Sequence, residues 1–322
     1  MSVLETYASN FLSQYSNYPM GRYISILLVR AVESEAIFRT EGSGEPLNKE
    51  FVHASSDPNS DVIQRVVISK RKQTAVERRT GRELLRDFDL LHNRKGDLQC
   101  TLNRNQPCEE CMDCMIYGYA AGGGGAQKSR VVTDDAFSLH SARTITDQRQ
   151  FNALYDTGTM RDPETGKPST SIGTDEYVKP ESIFLDIETF HDLTREEFIY
   201  AFGNILRSSR YGAVSSRIGK IRNHIAGIVF GDCELFSNLE LTQTVYDSLR
   251  SDNTEPDFPI RADVVTEAVR AATDQLAGTI PGRLRILSED EVAGLVDEVT
   301  AIYRNEGEIR AILTTASEMY GG

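Results

Sequence analysis

The sequence predicts an α+β fold interrupted by large insertions. Apolar segments with the period of strands and of helices alternate at irregular spacing, and residues 182–230 read strand–helix–strand. Two stretches rich in Gly, Pro, Ser, Asn and Asp, 40–61 and 157–179, break that pattern as loops. From residue 239 onward the chain is mostly acidic amphipathic helix. With 322 residues and 39% hydrophobic content, it can bury either about two structural units or one large core with insertions.

Pro19 and Gly21 open a strand over 22–32, in which Tyr23, Ser25, Leu27, Val29 and Ala31 alternate with Ile24, Ile26, Leu28, Arg30 and Val32. Both faces are largely apolar, as a central strand requires. A β-branched run over 61–69 leads into Lys70, Arg71 and Lys72, and a helix is expected over 74–91 although Gly81 weakens it. Strands are expected over 130–139, 182–190 and 217–230. Thr194 to Glu197 and Ser288 to Glu291 are capping boxes, each a hydroxyl and a glutamate closing the first turn of a helix.

Net charge is −13, but it is unevenly spread. The stretch 232–322 holds 18 acids against 7 arginines. The window 61–95 holds ten bases against five acids, and 198–231 holds five bases and no acid. A basic strip on an acidic protein can still bind a polyanion, although solvated helix faces explain it too. No apolar run approaches the ~18 residues of a membrane span. Residues 1–17 lack a secretory signal pattern, so a cytoplasmic chain with no membrane partner is expected.

The cysteines carry the firmest chemistry. Cys108, Cys111 and Cys114 form C-x2-C-x2-C, with Cys100 upstream. Two-residue spacers let a turn aim sulfurs at one ion, and four thiolates leave no open position, so structural zinc is expected. A ferredoxin cluster is disfavoured because no x3-C-P follows Cys114. His92 or His53 remains an alternative to Cys100 as fourth ligand, and Cys233 is isolated. The glycine run 122–125 lacks the glycine before lysine that a phosphate loop needs, since Gln127 precedes Lys128. Asp186 and Glu188 share one strand face and suit either a metal or solvent. The five histidines are scattered, and no G-x-S-x-G or H-E-x-x-H occurs.

The cysteine triplet, Met115-Ile-Tyr-Gly118, Gly122 through Arg130, Gly158-Thr-Met160 and Tyr177-Val-Lys-Pro180 together resemble a known family. It is the backbone subunit of type I-D CRISPR surveillance complexes, in the RAMP superfamily, and the likeness spans about residues 19–236. The resemblance implies an RRM or ferredoxin-like core with a lid near 40–61, a zinc-binding subdomain at 92–128, a thumb hairpin at 152–180 and a helical part at 237–322. It also implies copies assembling along a CRISPR RNA, partnership with other effector subunits, and target DNA engaged through the guide. On that reading Arg22, Lys70, Arg71, Lys72, Lys128, Ser129, Arg130, Arg217, Lys220 and Arg222 are candidate RNA contacts, with Met160 as an apolar wedge. Tyr23 is the only aromatic on the first strand, so base stacking on the sheet face is not expected.

Two other readings compete with a non-catalytic scaffold. Some RAMP backbone subunits cut the paired target strand with a loop carboxylate, and Glu41, Glu45, Asp57 and Asp61 supply candidates here. A zinc-stabilised interaction protein without nucleic acid is the blander alternative.

Overall fold

Strand β1 (Tyr23–Val32) organises the molecule, because its two faces feed two different cores. Ile24, Ile26 and Leu28 point into one, and Leu27 and Val29 into the other, as the two-residue period of a strand dictates. The computed structural model describes residues 2–39, 47–91, 100–101, 107–121, 125–152, 154–169, 172–212, 219–251 and 254–320.

In chain order, a short helix α1 (Val3–Thr6) precedes β1, followed by β2 (Lys49–His53), β3 (Val62–Ile68) and α2 (Lys70–Asp87). Next come α3 (Met112–Tyr117), β4 (Tyr119–Ala120), β5 (Ala126–Gln127), β6 (Val131–Thr133), β7 (Ala136–Ser141) and α4 (Ala142–Ile145). Then follow β8 (Thr146–Asn152), β9 (Ile172–Val178), β10 (Ile183–His191), α5 (Arg195–Arg207) and β11 (Ile221–Gly231). The last part holds α6 (Asn238–Leu249), α7 (Ala262–Ala277), β12 (Arg285–Ile286), α8 (Glu289–Arg304) and α9 (Glu306–Glu318).

The main sheet runs β12-β11-β1-β10-β7-β3-β2, with β6 also on β10, and its pairings are antiparallel. One face packs against α5, α8 and α9 through Phe198, Phe202, Leu295 and Leu313. The other packs against α6 and α7 through Leu241, Val245, Val265 and Val269. Both capping boxes form, at Thr194 and Ser288. Strands β8 and β9 pair with each other as a separate two-stranded hairpin.

Several expectations shift. The helix expected over 74–91 begins at Lys70, so the three bases expected at a strand end form its first turn. Cations there oppose the helix dipole; Asp135 Oδ1 offsets this by accepting the Lys70 N–H at 2.9 Å. The strand expected over 130–139 is two strands, because the Asp134 and Asp135 carbonyls turn aside to accept from Asn238 Nδ2. Gly81 is explained by packing: a Cβ there would collide with Tyr200 Oη and Asn204 Nδ2 of α5.

Asp186 and Glu188 are neither solvated nor arranged for a metal. Both are fully buried around Arg30 of β1, together with Glu77 of α2. Arg30 reaches Asp186 at 2.6 Å, Glu188 at 2.5 Å, Glu77 at 3.2 Å and Asn223 Oδ1 at 2.8 Å. Thr133 and Asn238 complete Asp186, and Tyr211 donates to Glu77. One guanidinium cannot neutralise three carboxylates. Glu77 Oε2 and Glu188 Oε2 are buried without a donor among the described residues. Burial, reinforced for Glu188 by the neighbouring Glu77 charge, pushes the Glu188 carboxyl well above the usual range, and burial also raises Glu77.

Two tests follow from this packing. Gly81→Ala gains about 1 kcal/mol of helix propensity but overpacks the α2–α5 contact, so a net loss of about 1–3 kcal/mol is expected from urea denaturation. The folded chain keeps a carboxyl proton that an unfolded glutamate loses above about pH 4.3. Stability therefore falls as pH rises from there through the raised pKa, by about 1.4 kcal/mol per pH unit for one proton. Urea midpoints measured between pH 5 and pH 8 check this, and Glu188→Gln is expected to flatten the dependence.

Candidate nucleic-acid interface and metal centre

Cys100, Cys108, Cys111 and Cys114 converge, all four buried, with their sulfurs within 4.8 Å of one another. Cys100 Sγ lies 3.5 Å from Cys114 Sγ and 3.9 Å from Cys111 Sγ, and Cys108 Sγ lies 3.9 Å from Cys114 Sγ. A tetrahedron with metal–sulfur bonds of about 2.3 Å has edges of about 3.8 Å, so the spacing fits one ion. The turn is built as the short spacers require: Cys111 N–H donates to Cys108 Sγ at 3.2 Å, and Cys108 N–H donates to Cys100 Sγ at 3.3 Å. Hydrogen bonds from the other three cysteines drive the Cys100 thiol down, while the same crowding pushes Cys111 up. Four cysteines here can hold a metal ion. His53 sits on β2 with Nδ1 3.1 Å from Ser60 O, away from the sulfurs, and His92 lies outside the described residues.

Beside this centre runs a groove of about 1030 Å³. One wall is α2, where Arg71, Ala75, Arg78, Arg79, Arg82 and Arg86 recur at helical spacing on one face with Lys70 at its start. The other wall is Gly118, Tyr119, Lys128 and Ser129. Seven bases and no acid line it among the described residues. Not all are free to meet a ligand: Arg78 Nε is 2.8 Å from Asp113 Oδ1, and Arg82 also pairs with Asp113.

The sequence candidates divide accordingly. Lys70, Arg71, Lys128 and Ser129 meet at the groove. Lys72 turns aside and donates to Arg39 O. Arg130 is a correction: it is 6% exposed, its guanidinium grips Glu197 and also donates to Asp192 O and Met115 O, so it holds the fold together. Arg22 is exposed at the start of β1, with its backbone N–H on Asp192. Lys220, just before β11, and Arg222, on it, are both exposed and both pair with Glu33, at 3.3 and 2.5 Å. None of these last four lines the groove. Arg217 lies outside the described residues.

Met160 is only half-exposed, whereas Leu154, 61% exposed, and Tyr155 are more exposed apolar side chains between β8 and β9. Of the candidate cutting carboxylates, Asp57 accepts the Asn59 N–H within its own turn and Asp61 is exposed beside β3. Glu41 and Glu45 lie outside the described residues. Sequence reasoning misses Arg78, Arg79, Arg82 and Arg86 as site residues. Their signal is the four-residue spacing of Arg78, Arg82 and Arg86 inside the basic window, which already lies within the helix expected over 74–91.

The family model described as Csc2 Crispr matches residues 10–313. The chain belongs to the Csc2 family. No curated protein sequence matches it. The crystal structure of Thermofilum pendens Csc2 superposes with a TM-score of 0.62 at 17% identity, covering 100% of this chain and 99% of that one. That likeness shows a shared mixed α+β fold. A chain of a CRISPR RNA-guided surveillance complex, pre-nicking, gives a TM-score of 0.49 at 9% identity over 81% of this chain and 90% of that chain. No helix among the described residues is long and apolar enough to cross a membrane.

Replacing one ligand tests the centre in this Csc2-family chain. Purified protein is expected to carry one metal ion per chain by elemental analysis, and Cys111→Ser to lose it with a lower Tm, because buried thiols without an ion are unsatisfied.

Proposed function

We propose that this chain binds CRISPR RNA without reading its sequence, as the repeating backbone subunit of a type I-D interference complex. The observation that carries the reading is the groove along α2, lined among the described residues by seven bases and no acid on a protein of net charge −13. Arg and Lys on phosphates fix register and give affinity but carry no base information, which suits a subunit that must accept any guide. Lys70, Arg71, Arg79, Arg86 and Lys128 take the phosphates, and Tyr119 offers a ring for a base.

The rest of the reading is assembled around that groove. The sheet built on β1 and β10 is an RRM-like core, and the β8–β9 hairpin is a thumb whose Leu154 and Tyr155 wedge between nucleotides. Zinc occupies the four cysteines, holding the groove's second wall without chemistry of its own. Copies of the chain line up on the RNA beside other effector subunits in the cytoplasm, and target DNA is engaged through the guide.

Charge reversal tests it. Lys70→Glu with Arg79→Glu and Arg86→Glu is expected to weaken single-stranded RNA binding at least tenfold, while circular dichroism stays that of the parent. The slope of log affinity against log salt is expected to shrink by about 0.7 for each phosphate that the variant no longer neutralises. Unchanged RNA affinity in the triple variant would overturn the proposal.

A further inference from the structure

Helix α2 and the cysteine centre are joined by two buried side chains, Arg82 and Asp113. Arg82 is 3% exposed. Its Nη1 lies 3.6 Å from Cys100 Sγ and 2.5 Å from Asp113 Oδ2, and its Nη2 donates to Cys100 O. Asp113, fully buried between Cys111 and Cys114 in sequence, also accepts from Arg78 Nε at 2.8 and 3.0 Å. Arg78 Nη2 donates in turn to Gly118 O at 2.9 Å.

The second wall continues from that same peptide. Gly118 adopts φ +79, and a Cβ there would lie 2.6 Å from Gln127 O and 2.8 Å from Ser129 N. The backbone carrying Lys128 is therefore pressed directly onto the end of the cysteine turn. One side of the groove is tied to the sulfurs by Arg82 and Asp113, and the other by Gly118.

A divalent ion in four thiolates carries a net charge of about −2, and a buried guanidinium beside one sulfur offsets part of it. We propose that Arg82 and Asp113 couple metal occupancy of the cysteine centre to RNA affinity of the groove. Arg82 is a positioning residue, touching neither the ion nor a nucleotide. The coupling rests on the RNA-binding and metal-binding readings above. Its sign is positive: the filled centre fixes Asp113, Asp113 fixes Arg78 and Arg82, and these hold α2 at its working distance from Lys128. Linkage then requires RNA to raise metal affinity by the same factor.

The test uses the full chain, zinc-loaded or stripped by a chelator, with labelled oligouridylate as the RNA probe. Metal affinity is read by chelator competition, and tetrathiolate geometry by the spectrum of the cobalt(II)-substituted protein. The loaded parent is expected to bind RNA about tenfold more tightly than the stripped parent, within the usual range of coupling between sites. Arg82→Met keeps all four ligands but is expected to bind metal about 10–100-fold more weakly, and its RNA affinity no longer responds to metal. Asp113→Asn, which preserves volume, is expected to shift both quantities in the same direction and serves if Arg82→Met fails to fold.

Variants with a native cobalt spectrum and parental metal affinity, or with the tenfold coupling intact, would overturn the inference. A parent that binds RNA equally well loaded and stripped overturns it too, while leaving the RNA-binding reading standing. A parent that binds no RNA in either state sinks that reading instead.

Discussion

Helix α2 must satisfy opposite demands on its two sides, and the rest of the molecule is arranged around that constraint. Inward, Glu77 enters a carboxylate cluster closed by Arg30, and Gly81 lets the helix approach α5 without a side chain between them. Outward, it carries a row of arginines along a groove that no acid lines among the described residues. Removing one member of a buried charged cluster is far more costly than removing one from a surface pair, since a charge is left desolvated without its partner. The inner side is therefore costly to break, although its three carboxylates share one guanidinium.

What the sequence made legible were features whose signal is local. The alternation of β1, the two capping boxes and the spacing of Cys108, Cys111 and Cys114 each lie within a few residues, and each forms as read. What it hid depends on distant partners. Arg130 looks like a loop cation beside Lys128, yet Glu197 lies 67 positions away and draws it inside. Asp186 and Glu188 look like a solvated or metal-binding face until Arg30 closes on them from the neighbouring strand. The start of α2 is hidden because three bases in a first turn contradict helix-end electrostatics, and only the fold around Asp135 makes that turn tolerable.

The acidity of the chain also takes on a spatial meaning. Helices α6 to α9 carry much of the negative charge, with α6 and α7 on one face of the sheet and α8 and α9 packed with α5 on the other. The groove beside the cysteine turn is a local exception to that field. Family membership gives the exception a setting, since Csc2 is a CRISPR family.

The first turn of α2 has one more consequence. Lys70, Arg71 and Lys72 are neighbours within a single turn, so three like charges crowd there and dissolved ions partly screen them. A polyanion in the groove would offset the charge of Lys70 and Arg71, the two of them that line it. If the proposed RNA binding holds, adding salt weakens it twice, by competing for the phosphates and by relaxing the free protein in advance. On that proposal, a phosphate count read from a salt titration of this chain would include charge released inside the protein as well as charge engaged on the nucleic acid.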